Sequence, residues 1–223
     1  MTAAAAPLLD TRDMTVVHAA FRREFRLAGA LVRRVADGDA ARAAVVSAHL
    51  DLLEQTLHHH HSGEDALLWP KLEARVADEL RPLVALMDAQ HAHVAGLLAR
   101  IGCSRPAWAA APTAEAGAEL AAAYDELYAA LAEHLDAEES RLLPLVARCV
   151  TAAEWRELGE TARRETPRAR AALVLGMLQY RADPEVFAGM LAGAPPPVRW
   201  LLPRLAARAF RRHALAVHGT TTP

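Results

Sequence analysis

The chain has 223 residues, a length that suits one domain with an extension. Hydrophobic residues make up 53% of it and aromatic residues only 5%, and the apolar share is mainly Ala, Leu and Val, which favours helices over strands. The net charge of -2 gives no overall basic character and so excludes a general nucleic-acid-binding protein. The 11 histidines exceed what helix formation explains and suggest a site.

The cysteines and the N-terminal segment bear on location. Cys103 and Cys149 form no CxxC motif and no disulfide framework, so a reduced, cytoplasmic setting is expected. Residues 1–9 lack the basic region of a signal peptide, and no apolar run reaches the roughly 18 residues of a transmembrane helix. We therefore expect no leader and no transmembrane segment, and the sequence leaves the oligomeric state open.

Hydrophobic residues recur with helical period along the first two thirds of the chain. Four long helices are predicted, over about 13–36, 39–76, 82–102 and 113–149. Pro70 disturbs the second helix, Pro144 lies in the last turns of the fourth, and residues 103–112 are predicted to form a loop. The expected fold is all-α, an antiparallel up-down-up-down four-helix bundle with a helical C-terminal extension.

Residues 1–150 are predicted to be the bundle, and residues 151–223 the extension that packs on it. The first part is acidic and the second basic, which suggests packing between them or a basic surface for an anionic partner. A capping box at 151–154, with cap-then-proline pairs at 166–167 and 183–184, predicts three or four shorter helices.

The stretch 197–218 mixes arginines with apolar residues, as membrane-surface helices and partner-binding helices do. We favour the interpretation that its apolar side packs on the rest of the protein.

Two of the predicted long helices repeat one pattern of histidine, carboxylate and proline. The segments are His60-x-x-x-Glu64-Asp65-x-x-Leu68-Trp69-Pro70 and His134-x-x-x-Glu138-Glu139-x-x-Leu142-Leu143-Pro144. A spacing of four is about one helical turn, so the histidine and the glutamate of each pair project from the same face.

The other two long helices each add a histidine in apolar surroundings, His18 and His91. About six inward ligands from four helices are the arrangement of a dinuclear metal site. Imidazole suits iron, zinc or copper, and carboxylates suit harder ions and can bridge two of them. Without a thiolate, two irons fit better than manganese or zinc.

These segments resemble the paired motifs of the hemerythrin-like, HHE cation-binding family, over about residues 10–150. The resemblance implies an antiparallel four-helix bundle around a non-haem di-iron centre of the Fe-O-Fe type, bridged by carboxylates. The implied metal ligands are His18, His60, Glu64, His91, His134 and Glu138.

The sequence departs from the oxygen-carrying members of that family in two places. Those carriers supply two histidines from the third helix, four residues apart, whereas Met87 stands four residues before His91 here. They also place the second bridging carboxylate five residues after its histidine, which would select Glu139, whereas the proline register favours Glu138. The expected set is therefore one nitrogen short, with an open position for water, dioxygen, peroxide or nitric oxide.

The remaining seven histidines are expected at surface, outer or C-terminal positions: His49, His58, His59, His61, His93, His213 and His218. A frame that pairs His61 with Asp65 has the same spacing but breaks the proline register. His49 lies on the same helix face as His60 but three turns away, so a structural role is expected.

The leading functional hypothesis is binding of dioxygen or a related small molecule, in sensing, storage or stress response. Disproportionation of peroxide or reduction of nitric oxide at the same centre is the enzymatic alternative, motivated by the missing nitrogen. A module that stores or donates iron is a further alternative. No nucleophilic triad, phosphate-binding glycine loop or zinc-finger spacing occurs in the sequence.

Overall fold

The computed structural model describes residues 8–223, so the expectation for the N-terminal segment falls mostly on residues outside this range. Helices account for most of the described residues, which contain no strand, and the all-α expectation is confirmed. No helix in the described range combines the length and the apolar character needed to cross a bilayer.

The described residues form ten α-helices. They are α1 (Arg12–Arg33), α2 (Ala40–Leu67), α3 (Trp69–Arg75), α4 (Arg81–Ala110), α5 (Ala114–Ala137), α6 (Leu143–Cys149), α7 (Ala152–Glu165), α8 (Arg168–Gln179), α9 (Pro184–Met190) and α10 (Pro196–His218). A 3₁₀ turn, Asp78–Leu80, precedes α4, and a π-helical turn, Glu138–Leu142, joins α5 to α6.

Side-chain caps start four of these helices at predicted positions. The side chains of Asp39, Thr113 and Asp183 accept hydrogen bonds from backbone N–H groups in the first turns of α2, α5 and α9. Thr151 and Glu154 form the predicted capping box of α7. Each cap satisfies an N–H group that has no partner within the helix, which fixes where the helix begins.

Two prolines divide the second and fourth predicted helices. Pro70 lies in the first turn of α3 and Pro144 in the first turn of α6. A proline has no N–H group to donate, so the preceding helix ends and a new one starts. Before Pro144 the chain also makes the π-helical turn, a feature often found near functional sites.

The predicted loop over 103–112 is wrong, because α4 continues through Pro106 to Ala110. Arg105 and Trp108 are buried on this segment. The Arg105 guanidinium donates to Glu54 Oε1 at 2.8 Å, so a buried ion pair with α2 holds the helix together across the proline. The cost of an interior proline is offset by this packing, which a local pattern does not reveal.

Two clusters of buried apolar side chains form the core. The large cluster is centred on Phe25, Leu50, Leu57, Ile101, Tyr124 and Leu131. The small cluster is centred on Met14, Trp69, Leu72, Met87, Leu142 and Val146. Among the four long helices, α1 and α4 each pack against α2 and α5.

A short stretch of residues separates the two clusters on each of these helices, and it is mostly polar on α2 and α4. The flanking residues are Met14 and Phe21 along α1, Leu57 and Leu68 at the end of α2, Met87 and Val94 along α4, and Leu135 and Leu142 along α5 and its π turn, with His134 directly before Leu135. A polar layer therefore crosses the interior between two apolar layers, and the predicted site residues lie in it.

The C-terminal helices contribute to the same core. Met177 of α8 and Phe210 of α10 belong to the large cluster, and Trp155 of α7 belongs to the small one. The Arg42 guanidinium of α2 donates to the Ala216 carbonyl of α10 at 2.7 Å. The expected apolar packing of the C-terminal helix is present only in part, because Phe210 is buried whereas Trp200 and Leu201 are 63% and 47% exposed. The helix α10 is also 23 residues long instead of short.

Candidate metal centre

The polar layer contains seven side chains that are able to bind a metal ion. They are His18 on α1, His60, His61 and Glu64 on α2, His91 on α4, His134 on α5 and Glu138 at the start of the π turn. All but His60 are buried, and the His60 side chain is only 12% exposed. Five imidazoles and two carboxylates thus face a common interior.

Three of the imidazoles form one group. Ligand atoms of His61, His91 and His134 all lie within 4.8 Å of one another. The His61 ring stacks on the His91 ring with 4.0 Å between centroids, and His91 Nε2 lies 3.1 Å from His134 Nε2. His18, His60 and Glu64 form a second group within the same limit.

Glu64, a member of the second group, also faces the first group. Its Oε1 is 3.5 Å from His60 Nε2, and its Oε2 is 3.6 Å from His91 Nε2. Burial raises the pKa of Glu64 well above its ordinary value, and the nearby Glu138 raises it further. A cation bound beside this carboxylate would favour its charged form.

Glu138 has the same relation to His18 and His134. Its Oε2 is 3.3 Å from His18 Nε2 and 3.6 Å from His134 Nε2. Burial raises the pKa of this carboxyl as well. Each glutamate therefore faces two histidines, one from each group.

Seven polar atoms of this layer are buried without a hydrogen-bond partner. They are Nε2 of His18, His60 and His61 and both carboxylate oxygens of Glu64 and Glu138. A buried polar atom without a partner costs about 1–3 kcal/mol, so together they rival the net stability of a domain, about 5–15 kcal/mol. Cations held among these atoms would offset that cost, so the donor set fits metal ions.

Outer hydrogen bonds orient the His18 ring. Its Nδ1 lies 2.9 Å from Glu139 Oε1, which also accepts from Arg22 at 2.6 Å. Burial alone would raise the pKa of Glu139, but hydrogen bonds from His18 and Arg22 outweigh it and lower the pKa. The ionised carboxylate accepts from Nδ1–H, so the Nε2 lone pair of His18 faces the interior.

The rings of His91 and His134 are oriented in the same way. His91 Nδ1 donates to Asp65 Oδ1 at 2.6 Å, and this oxygen also accepts from the Trp69 indole. His134 Nδ1 donates to Gln90 Oε1 at 3.3 Å. Both Nε2 atoms then carry lone pairs that face each other, an unfavourable contact that a shared cation would relieve.

Burial also sets the protonation of the histidines. It lowers the pKa of His60 and His61 well below the ordinary value and that of His134 to about 3. These rings are therefore neutral near pH 7, which is the form of imidazole that binds metal ions.

A family model described as the hemerythrin HHE cation binding domain matches residues 9–146. The chain belongs to this family. The matched range contains all seven donors and ends within α6. Neither the curated proteins nor the solved structures that were compared with the chain include a match.

Within this hemerythrin-like domain, the structure brings the six sequence-predicted ligands together and adds His61. The expected solvated position of His61 is wrong, since its ring is buried against His91. Consecutive residues point about 100° apart on a helix, and here the centre lies between the directions of His60 and His61. The spacing of four between His61 and Asp65 was the sequence feature that could have indicated this position. Asp65 also lies at the site, where it accepts a hydrogen bond from His91.

The sequence predicted four histidines and two glutamates, one nitrogen fewer than in the oxygen carriers. With His61 the number of imidazoles rises to five. Met87 is fully buried in the small cluster, one turn before His91. Through His61, α2 contributes the additional imidazole that α4 does not contribute. Glu138 is the inward carboxylate, and Glu139 is the outer partner of His18.

Proposed function

We propose that this protein holds two iron ions between its four long helices and binds dioxygen, or a related small molecule such as nitric oxide, at that centre. The observation that carries the proposal is the pair of buried carboxylates, Glu64 and Glu138, each facing one histidine from either group. A carboxylate between two sets of nitrogens is suited to bridge two metal ions.

The proposed ligands divide into two sets. His61, His91 and His134 serve one iron, His18 and His60 serve the other, and Glu64 and Glu138 are shared. Imidazole and carboxylate without thiolate favour iron, while manganese or zinc would be distinguished by metal analysis.

The two sets are unequal, since one has three imidazoles and the other two. The side of His18 and His60 leaves more room for an exogenous ligand. Bound iron would supply the electrons that make dioxygen binding reversible. Near-complete burial of the donors restricts that position to small molecules.

Residues around the donors have supporting roles. Asp65 and Glu139 hold protons at the outer nitrogens of His91 and His18, which keeps the inner nitrogens free to bind metal. The Phe21 ring lies 5.2 Å from the His60 ring and shields that side from water.

The fifth imidazole favours ligand binding over catalysis. Peroxide disproportionation or nitric oxide reduction was motivated by a missing nitrogen, and His61 supplies one. We therefore propose a binding protein, in sensing, storage or stress response.

We also propose the antiparallel up-down-up-down arrangement for the four long helices. The order of the small and large clusters reverses from each long helix to the next along the chain, which supports alternating directions. Residues 1–150 would be the bundle and 151–223 the extension packed on it.

Reconstitution of the protein with ferrous iron under anaerobic conditions tests the function. We expect about two irons per chain, a ligand-to-metal absorption band on exposure to air, and loss of that band under argon. The Glu64→Ala variant should show neither iron nor band, and His93→Ala, an exposed histidine, should behave like the wild type. Fewer than about one iron per chain, or rapid peroxide consumption with oxygen release, would contradict the proposal.

A further inference from the structure

A second buried polar cluster lies where α10 meets the bundle. It contains Glu24 of α1, His49 of α2, and His213 and His218 of α10. His49 is eleven residues from His60 on the same helix, which places the two about 16 Å apart along its axis. The cluster is therefore separate from the candidate metal centre.

Three side chains of this cluster converge on one point. Glu24 Oε2 lies 3.5 Å from His49 Nε2 and 3.5 Å from His218 Nε2. Glu24 and His49 are each 1% exposed, and the His218 side chain is 5% exposed. Neither Glu24 Oε2 nor His49 Nε2 has a hydrogen-bond partner. Two buried, facing polar atoms are thus left without a partner.

We propose that Glu24, His49 and His218 form a second cation site, for a divalent ion of the zinc class, which fastens α10 to the bundle. Two tetrahedral ligands about 2.0–2.1 Å from zinc lie about 3.3–3.4 Å apart, close to the observed 3.5 Å. Two imidazoles and one carboxylate are a common zinc donor set, with water in the fourth position.

Neighbouring groups prepare these atoms for a metal ion. The Arg23 guanidinium donates to Glu24 Oε1 at 2.9 and 2.7 Å, which leaves Oε2 available. His213 Nε2 lies 3.0 Å from His49 Nδ1 and orients that ring. Metal-bound histidines usually have such an outer partner.

The protonation states also suit metal binding. Burial lowers the pKa of His49 to about 3, so its ring is neutral near pH 7. Burial alone would raise the pKa of Glu24, but His218 and Arg23 outweigh it and bring the pKa to about 2. A charged carboxylate thus faces a neutral imidazole.

The position of the cluster gives the site a structural role. Its three donors come from distant parts of the sequence, and His218 lies at the C-terminal end of α10. Arg42 donates to the Ala216 carbonyl in the same turn and holds that end against α2. A metal ion would join α1, α2 and α10 directly.

Equilibrium dialysis of the iron-loaded protein against Zn²⁺ tests this site. Because the first centre is already filled, we expect about one further equivalent of zinc, with unchanged iron content. His218→Gln and Glu24→Gln should each lose that equivalent and keep their iron, and His93→Ala should keep both. Iron content and zinc uptake are measured on the same iron-loaded sample, so failure of either site is recognised separately.

The proposal is overturned if the iron-loaded wild type takes up no zinc, or if His218→Gln and Glu24→Gln bind as much as the wild type. Should a variant fail to fold, zinc-edge X-ray absorption of the iron-loaded wild type decides. A first shell near 2.0–2.1 Å with imidazole scattering from two rings supports the site, and a shell of water oxygens alone overturns it.

Discussion

The side chains of Glu64 and Glu138 lie in the interior with no exposed surface. Two carboxylates without partners in a low-dielectric layer are costly, and burial raises the pKa of both. Their retention there is explained by cations that they would bind. At the residue scale, the centre is therefore a set of groups that are each unfavourable alone and favourable once metal is present.

His61→Ala tests a proposed ligand that the sequence pattern did not reveal. We expect the iron content to fall from about two ions per chain to about one or less, because this ring is one of three imidazoles on its side. His58→Ala is the matched control, since this exposed histidine is on the same helix, and it should retain its iron. Equal iron in both variants would remove His61 from the ligand set.

The outer partners should affect affinity without removing a ligand. Asp65→Asn and Glu139→Gln each weaken a carboxylate bond to an outer histidine nitrogen, and we expect each to lower iron affinity about 10–100-fold. Asp136→Asn is the control, because Asp136 also bonds Arg22 but its side chain is 76% exposed. Competition with a chelator measures the affinities, and no difference among the three variants would contradict these roles.

The pH dependence of the iron-free protein follows from buried groups. The pKa of His60, His61 and His134 is lowered in the native state. Below about pH 6.5 the unfolded state therefore binds more protons, and the free energy of unfolding decreases as the pH is lowered. The raised pKa of Glu64 and Glu138 has the opposite effect. Above about pH 4.5 the native state binds more protons at these two groups, so their contribution to the free energy of unfolding increases as the pH is lowered.

The histidines with lowered pKa outnumber these two carboxyls. We therefore expect the free energy of unfolding to fall as pH is lowered from 6.5 to 4.5, by about 1.4 kcal/mol per pH unit for each histidine in excess. Urea unfolding of the iron-free protein measures it, and His61→Gln should make the profile shallower. A flat profile in the wild type would show that these rings are not buried as neutral groups.

At the element scale, α8 and α10 approach closely at a glycine. A Cβ atom on Gly176 would lie 2.2 Å from the Ala206 carbonyl oxygen. Gly176→Ala should therefore destabilise the protein by about 1–3 kcal/mol through overpacking. Gly96→Ala on α4, where nothing lies within 4 Å, should stabilise it by up to about 1 kcal/mol through helix propensity. Similar unfolding free energies for the two variants would contradict this packing.

Elements that depend on local signals were predictable. The caps at Asp39, Thr113 and Asp183 and the break near Pro70 follow from neighbouring residues. The continuation of α4 past Pro106 was not, because it depends on a buried ion pair with another helix.

The same distinction holds within the centre. Pairs spaced by four, such as His60 with Glu64, are fixed by helix geometry and were found from the sequence. The burial of His61 depends on how α4 packs against α2, and its role was missed. The cluster of Glu24, His49 and His218 joins residues far apart in sequence, so no spacing could indicate it.

On the scale of the whole molecule, a polar layer lies between two apolar clusters that every long helix contributes to. The apolar clusters stabilise the helices around a layer that is unfavourable without metal. The C-terminal helices complete the large cluster through Met177 and Phe210, so the extension shares the core of the bundle.

Anomalous diffraction at the iron edge, from crystals of the iron-loaded protein, tests the central claim most directly. We predict two iron peaks about 3.5–4 Å apart, with Glu64 and Glu138 between them and the five histidines divided three and two. A single peak, no peak in the polar layer, or a pair of irons without His61 among their ligands would contradict the account.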